Sequence, residues 1–212
     1  QPLLLLTIIA VFVLLFIFIM LPIFNVFKLS FTNAEGGFTT QKFIEIIQNK
    51  GYGQTFLNSM KLGLIVALVS TFIGYVFAFA LTRTEMPGKG FFRAIATLPI
   101  ISPPFILSLS IIFLFGRQGL ITKTLFGIDT FDVYGIHSLI VVQSISFFPV
   151  AFLTLTGILE SIDTSVEDAA YNMGASRGHI FRTITMPLSA PGIASALLLV
   201  FIQSLEDFSN PA

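Results

Sequence analysis

The charged side chains of this sequence are grouped, and the stretches between the groups are long enough to cross a membrane. Five stretches contain no Asp, Glu, Lys or Arg: residues 1–27, 62–82, 94–116, 133–159 and 183–205. A helix needs roughly 20 apolar residues to cross a bilayer core of about 30 Å. A charge at the centre of such a helix costs about 2.5–3.5 kcal/mol on insertion scales. The spacing of charges therefore predicts a chain that crosses a membrane five times.

The composition supports a membrane environment and excludes several functions. The chain is 55% hydrophobic and only 10% charged, whereas soluble domains carry roughly 25% charged residues. Its net charge is zero, so it lacks the basic surface that a nucleic-acid partner requires. It has no cysteine, which excludes disulfides and thiolate metal sites, and its two histidines lie far apart in the sequence. We therefore expect lipid as its surroundings and no metal site.

The predicted spans are helices. Apolar runs such as LLLLTIIAVFVLLFIFIM lack the alternation of a membrane barrel strand. The fold class is therefore an all-α polytopic bundle. The first run could also be a signal peptide, but it has no basic n-region and exceeds the usual apolar length. We place the five helices at about 3–24, 58–82, 95–115, 137–159 and 189–207. The charged and polar stretch between the first two, residues 25–57, predicts a polar loop.

The distribution of basic residues orients this bundle. The turn 83–93 holds Arg83, Lys89 and Arg93 within eleven residues, and dense basic turns stay in the cytoplasm. This predicts a cytoplasmic N-terminus and a cytoplasmic segment 160–188, which follows the fourth span. The chain starts at Gln1 without a Met and stops at Ala212 just after a helix. We expect it to be part of a longer protein with at least one further span.

Segment 160–188 predicts two short helices joined by a bend. Ser165 and Asp168 have capping-box-like spacing. Gly174 suits the position after a helix end, and Ser176 can cap the second helix, which Pro187 is expected to end. One apolar face of the first helix follows helical spacing: Val166, Ala169, Ala170 and Met173. Such a hairpin could lie on lipid headgroups or dock into a partner's groove, and its two alanines favour docking.

The same segment resembles the EAA loop of binding-protein-dependent ABC importer permeases. That pattern is Glu-Ala-Ala, three residues, Gly, nine residues, Ile, one residue, Leu-Pro. This sequence has Asp168-Ala169-Ala170, Gly174, Ile184 and Met186-Pro187. Asp replaces Glu and Met replaces Leu, and both changes keep the chemical character. Residues 98–122 and 204–211 are also similar to permeases of the ferric-iron and thiamine importers.

The resemblance implies a division of labour between this chain and its partners. It implies a first helix and external loop over 1–54 and a truncated type-1 permease domain over 55–212. The EAA loop of this family contacts separate ATPase subunits, which bind ATP and Mg²⁺, while an extracytoplasmic binding protein delivers the substrate. A second permease half, fused or separate, completes the pathway in the bacterial inner membrane. The implied coupling residues are Glu167, Asp168, Ala169, Ala170, Met173, Gly174, Ala175, Ser176, Phe181, Ile184 and Pro187.

No catalytic constellation accompanies these features. A phosphate-binding P-loop needs G-x-x-x-x-G-K-[ST], whereas the Gly88-Lys89 pair is followed by Gly90 and lacks the earlier glycine. We therefore expect a transport subunit that is not an enzyme and binds no cofactor. Ferric iron is the leading substrate, with thiamine, sulfate, polyamine or phosphonate behind it. A secondary transporter or channel is the more distant alternative, and a membrane enzyme is a third.

Two polar groups are candidates for the substrate pathway. Gln143, Ser144 and Ser146 lie within the fourth predicted span, where they could line the pathway or form hydrogen bonds between helices. Glu206 and Asp207 lie at the end of the fifth predicted span, near the outer face of the membrane. They could meet a cationic substrate or the binding protein, or form an ordinary solvated helix end.

Overall fold

The computed structural model describes residues 2–33, 36–127 and 135–207, which form helices joined by turns. Five helical stretches in this part of the chain are long and apolar enough to cross a membrane. This confirms the predicted all-α fold with five spans. The end of the similar segment 204–211 lies outside the described residues. The helices are α1 (Pro2–Ser30), α2 (Gln41–Gln48), α3 (Lys50–Arg83), α4 (Lys89–Ile101), α5 (Pro104–Phe115), α6 (Ile136–Ser161), α7 (Thr164–Asn172), α8 (Arg177–Ile180) and α9 (Met186–Glu206).

The chain divides into two compact units, Gln1–Leu57 and Asn58–Ala212. In the first unit, the amine of Lys42 on α2 donates to the carbonyl oxygens of Leu29 at 2.7 Å and Thr32 at 2.9 Å. These bonds satisfy carbonyls at the C-terminal end of α1. The ring of Phe31 lies 5.0 Å from that of Phe43, centre to centre. The turn after α1 is thereby tied to α2.

Segment 25–57 was predicted to be a polar loop, and this prediction is wrong. It contains the end of α1, all of α2 and the start of α3. The scattered charges suggested a loop, but Phe43, Ile44 and Ile47 recur at helical spacing on α2. The chain therefore forms an amphipathic helix there, between the first two membrane-length helices.

The core of the second unit lies between α3, α6 and α9. Small residues let these helices approach closely, as is common in membrane bundles. A Cβ atom on Gly74 of α3 would lie 2.8 Å from the backbone nitrogen of Phe152 on α6. One on Gly192 of α9 would lie 2.7 Å from the side chain of Ile158. The buried apolar residues of the three helices include Val66, Ala67, Ala78, Ala151, Phe152, Leu155, Leu159, Ala196 and Val200.

The third predicted span, 95–115, is not one helix. α4 ends at Ile101, and α5 begins at Pro104 after two residues in extended conformations. Two consecutive prolines, Pro103 and Pro104, remove two backbone donors and disfavour helical geometry at the preceding residue. The membrane-length stretch starts later, at Phe105, and runs to Leu125 through a π-helical turn, Leu120–Leu125.

The last membrane helix, in contrast, begins before residue 189, where the sequence analysis placed its start. Pro187 was expected to end the second short helix, but α8 continues through a second π-helical turn, Phe181–Thr185, into α9. The backbone N–H of Met186 bonds to the carbonyl of Phe181, five residues back. This wider turn leads into the proline, whose missing N–H needs no partner in the first turn of α9. The helix is therefore continuous at Pro187, where a break was predicted.

Candidate functional site

The N-terminus of α7 is capped by Asp163. Its carboxylate accepts the backbone N–H of Ser165 at 2.9 Å. That bond, followed by one from the Ser165 hydroxyl, lowers the pKa of Asp163 below its usual value. The capping box predicted from Ser165 and Asp168 is wrong, because Ser165 is already inside the helix as a donor.

Gly174 follows the C-terminal end of α7, as predicted. Its φ of +89° lies in the left-handed region, which glycine adopts without steric cost. Its N–H donates to the carbonyl of Tyr171 at 2.9 Å, and that of Ala175 donates to Ala170 at 3.1 Å. These two bonds form a Schellman motif. The predicted cap Ser176 also forms, its hydroxyl accepting the N–H of His179 at 3.3 Å.

The predicted apolar face of α7 is divided between the bundle and the outside. Ala170 is buried, whereas Val166 is 48% exposed and Met173 is 82% exposed. Ala169, between them on the helix, is exposed as well. We call Val166, Ala169 and Met173 the docking face. An exposed Met, Val and Ala on a short helix outside the spans can bury apolar area against a partner.

Glu167 occupies a different position from the docking face. One carboxylate oxygen lies 3.0 Å from Nε of Arg83, the last residue of α3. The other accepts the hydroxyl of Thr185 at 2.8 Å. Sequence reasoning assigned Glu167 to coupling but missed both partners. Arg83 is 84 residues away, and the only local signal was that it closes a charge-free stretch.

The remaining predicted coupling residues lie around this ion pair or on the outside of the turn. The ring of Phe181 packs edge to face against Phe79 of α3, with centres 5.2 Å apart. Ala175 and Ile184 are half-buried, whereas Asp168, Ser176 and Pro187 are exposed. A cavity of about 500 Å³ opens beside the ion pair. Its charged lining residues are Arg83, Glu85, Glu167, Asp168 and Arg177.

The candidate pathway residues lie at the other end of α6. The amide nitrogen of Gln143 donates to Asp207 at 2.9 Å, and its oxygen accepts the hydroxyl of Ser204 at 2.6 Å. Ser144 is buried, and its hydroxyl has no hydrogen-bond partner among the described residues.

The other two candidates are not part of this cluster. Ser146 bonds to the carbonyl of Val142 on its own helix at 2.9 Å, and Glu206 is exposed. The structure thus joins Gln143 to Asp207 but leaves Ser146 and Glu206 outside. Ser204, which sequence reasoning missed, follows the helical spacing of the buried α9 residues Ala196 and Val200.

The fold is that of an ABC importer's transmembrane domain. The crystal structure of a bacterial ABC transporter involved in the import of the acidic polysaccharide alginate superposes with a TM-score of 0.68. The match covers 96% of this chain and 73% of that one at 20% identity. The chain belongs to the family of binding-protein-dependent transport system inner membrane components, which matches residues 70–211.

Two curated relatives match this chain over different shares of their own length. It is 34% identical over 209 residues to the putative ferric transport system permease protein FbpB 1 of Haemophilus influenzae, covering 97% of this chain. That match spans 33% of the relative, so the chain is about a third of its length. It is also 34% identical to the molybdenum transport system permease protein ModB of Escherichia coli K12, covering 73% of this chain and 68% of the relative.

Proposed function

We propose that this chain is part of the permease of an ATP-driven importer and docks on separate ATPase subunits through α7. The observation that carries the proposal is the pair of short helices α7 and α8 between α6 and α9. This hairpin exposes the apolar docking face outside the membrane spans. The family membership supports the transport role. The sequence offers no phosphate-binding loop, so ATP and Mg²⁺ would be bound by the partner.

The proposed arrangement places α7 in the cytoplasm of a bacterial cell and the chain in its inner membrane. The basic turn between α3 and α4 lies at the same end of the bundle as α7, since Arg93 of α4 pairs with Glu160 of α6 at 2.8 Å. Basic turns are retained on the cytoplasmic side. The Gln143–Asp207 end would then face the extracytoplasmic binding protein, and a second permease half would complete the pathway.

The docking face can be tested by a charge placed at its most exposed side chain, Met173. We expect Met173→Asp in the full-length permease to abolish co-purification of the ATPase, because docking would bury an unpaired carboxylate. The matched control is Thr164→Asp, which adds the same charge on the opposite side of α7 and should retain the ATPase. Normal ATPase binding and uptake by Met173→Asp would refute docking through this face.

For the substrate we propose ferric iron. The relative named for ferric transport matches 97% of this chain, which is a longer match than the 73% for the molybdenum permease. Molybdate is the second candidate because the molybdenum permease is also 34% identical to this chain, and thiamine, sulfate, polyamine and phosphonate follow it. A strain lacking the full-length gene should grow poorly on limiting iron and recover when iron is added. Unimpaired iron uptake together with loss of molybdate uptake would reverse the order.

A further inference from the structure

Arg83 joins the end of the membrane helix α3 to the end of α6 and to the short helix α7. Besides Glu167, its guanidinium donates to the carbonyl of Leu159 at 2.8 Å and lies 3.4 Å from that of Ile162. These carbonyls belong to the last turn of α6 and the residue after it, where backbone acceptors have no partner within the helix. The side chain of Arg83 therefore donates hydrogen bonds to free carbonyls at the end of α6 and forms an ion pair with α7.

Glu167 extends the same connection to the last span. Its carboxylate accepts the hydroxyl of Thr185, which is 2% exposed and lies in the π-helical turn leading into α9. The side chains of Arg83 and Glu167 are only 9% and 14% exposed. One ion pair and one hydroxyl thus connect α3, α6, α7 and the start of α9.

The covalent connections of α7 are two short non-helical linkers. Two residues, Ile162 and Asp163, join it to α6, and Met173 to Ser176 join it to α8. The docking face lies on another side of α7, about a quarter-turn or more from Glu167. A force applied to the docking face would therefore rotate α7 about its flanking residues unless a side-chain connection resisted that rotation.

We propose that Arg83 and Glu167 are positioning residues that transmit the movement of α7 to α3, α6 and α9. The inference rests on the proposed function, but it concerns transmission and not docking. Charge-assisted bonds are stronger than bonds between neutral groups, and salt screens a partly buried pair less than an exposed one, so this cluster can hold its geometry under load. Its loss should leave the ATPase bound while hydrolysis no longer drives transport.

A second ion pair at the same end of the bundle provides a matched control. Arg93 of α4 lies 2.8 Å from Glu160 of α6, but both side chains are 53% exposed. Exposed pairs of this kind contribute little to stability, and this one does not involve α7. Arg93→Gln removes the same charge as Arg83→Gln without touching the connection to α7.

The test uses the full-length permease with its ATPase and binding protein, reconstituted in liposomes. We expect Arg83→Gln and Glu167→Gln to retain the ATPase and its hydrolysis, while the ATP hydrolysed per substrate transported rises on the order of tenfold. Thr185→Val, which removes only the link to α9, should raise the ratio less. Arg83→Lys, which keeps one charged donor, should restore part of the coupling, and Arg93→Gln should leave the ratio unchanged.

Three results would overturn the inference. An unchanged ratio in both Arg83→Gln and Glu167→Gln would show that the cluster transmits nothing. An equal effect of Arg93→Gln would show a general response to charge loss. Loss of the assembled complex in Arg83→Gln, Glu167→Gln and the milder Thr185→Val would assign the cluster to stability alone. If the wild-type permease fails to retain any ATPase, the proposed function itself fails, which is a separate outcome.

Discussion

Gly174 is required by its backbone conformation and not by the space around it. Its φ of +89° places it in the left-handed region, yet a Cβ atom there would meet no heavy atom within 4 Å. A β-branched residue is strongly disfavoured at such a φ, and the strain is on the order of 1–3 kcal/mol. A substitution of Gly174 would therefore act by changing the path of the backbone between α7 and α8, and not by a clash with neighbouring atoms.

We predict that Gly174→Val leaves the protein inserted in the membrane but weakens ATPase binding and uptake. The substitution distorts the Schellman motif that aligns α7 with α8. Gly174→Asn is the matched variant, because Asn tolerates the left-handed region through local hydrogen bonds, and it should retain most activity. Co-purification of the ATPase and transport by the full-length protein are the measurements. If Val and Asn at this position behave alike, the backbone argument is wrong.

Local signals were sufficient for some residues of the site and insufficient for others. Gly174 and Ser176 could be predicted because a helix end needs a left-handed residue and a helix start needs a side-chain acceptor. Arg83 and Thr185 could not, because their roles depend on how distant helices pack. Asp163 was missed for a local reason, since its carboxylate and Ser165 were both plausible caps.

At the scale of the helices, glycine allows α3 and α6 to touch along their backbones. The Cβ atom that an alanine would add at Gly74 lies 2.8 Å from the backbone nitrogen of Phe152 and 3.0 Å from the Cβ of Ala151. A backbone atom cannot move aside as a flexible side chain can. One of the two helices must therefore shift if this glycine is replaced.

We predict that Gly74→Ala destabilises the bundle by about 1–3 kcal/mol, the usual cost of overpacking a core. Gly157→Ala on α6 is the matched control, because nothing lies within 4 Å of its Cβ position. That control should be neutral or stabilising by about 0.5–1 kcal/mol, since alanine favours a helix interior over glycine. Thermal unfolding of the full-length protein in detergent measures both. Equal midpoints for Gly74→Ala and wild type would refute the contact.

The number of spans could be predicted from the sequence, but several of their boundaries could not. Each charge-free stretch is long enough to cross the membrane, which is why five stretches predicted five membrane helices. The length of a stretch does not show where a helix breaks inside it. Pro103 and Pro104 divide the third stretch, whereas Pro187 does not divide the helix it was expected to end. The difference is that a π-helical turn precedes Pro187 and no comparable turn precedes Pro103.

At the scale of the second unit, contacts between polar side chains mark the two ends of the bundle. The Arg83–Glu167 and Arg93–Glu160 pairs bring the turn between α3 and α4 to the same end as α7. The Gln143–Asp207 bond joins the opposite end of α6 to the end of α9. This arrangement agrees with the prediction that the turn 83–93 and segment 160–188 lie on the same side of the membrane. The choice of which end is cytoplasmic still depends on the basic residues of the turn 83–93.

We predict that residues at the two ends are accessible from opposite sides of the membrane. The sequence contains no cysteine, so single cysteines can be introduced by Met173→Cys and Phe126→Cys, at side chains that are 82% and 65% exposed. In the full-length protein, with any cysteines outside this region replaced by serine, a membrane-impermeant maleimide should label intact spheroplasts only for Phe126→Cys. Met173→Cys should react after permeabilisation and be protected when the ATPase is co-expressed.

Thr164→Cys on the other side of α7 separates docking from general shielding, because it should stay reactive with the ATPase present. Labelling of Met173→Cys in intact spheroplasts would place α7 outside the cytoplasm, where no ATPase could dock on it.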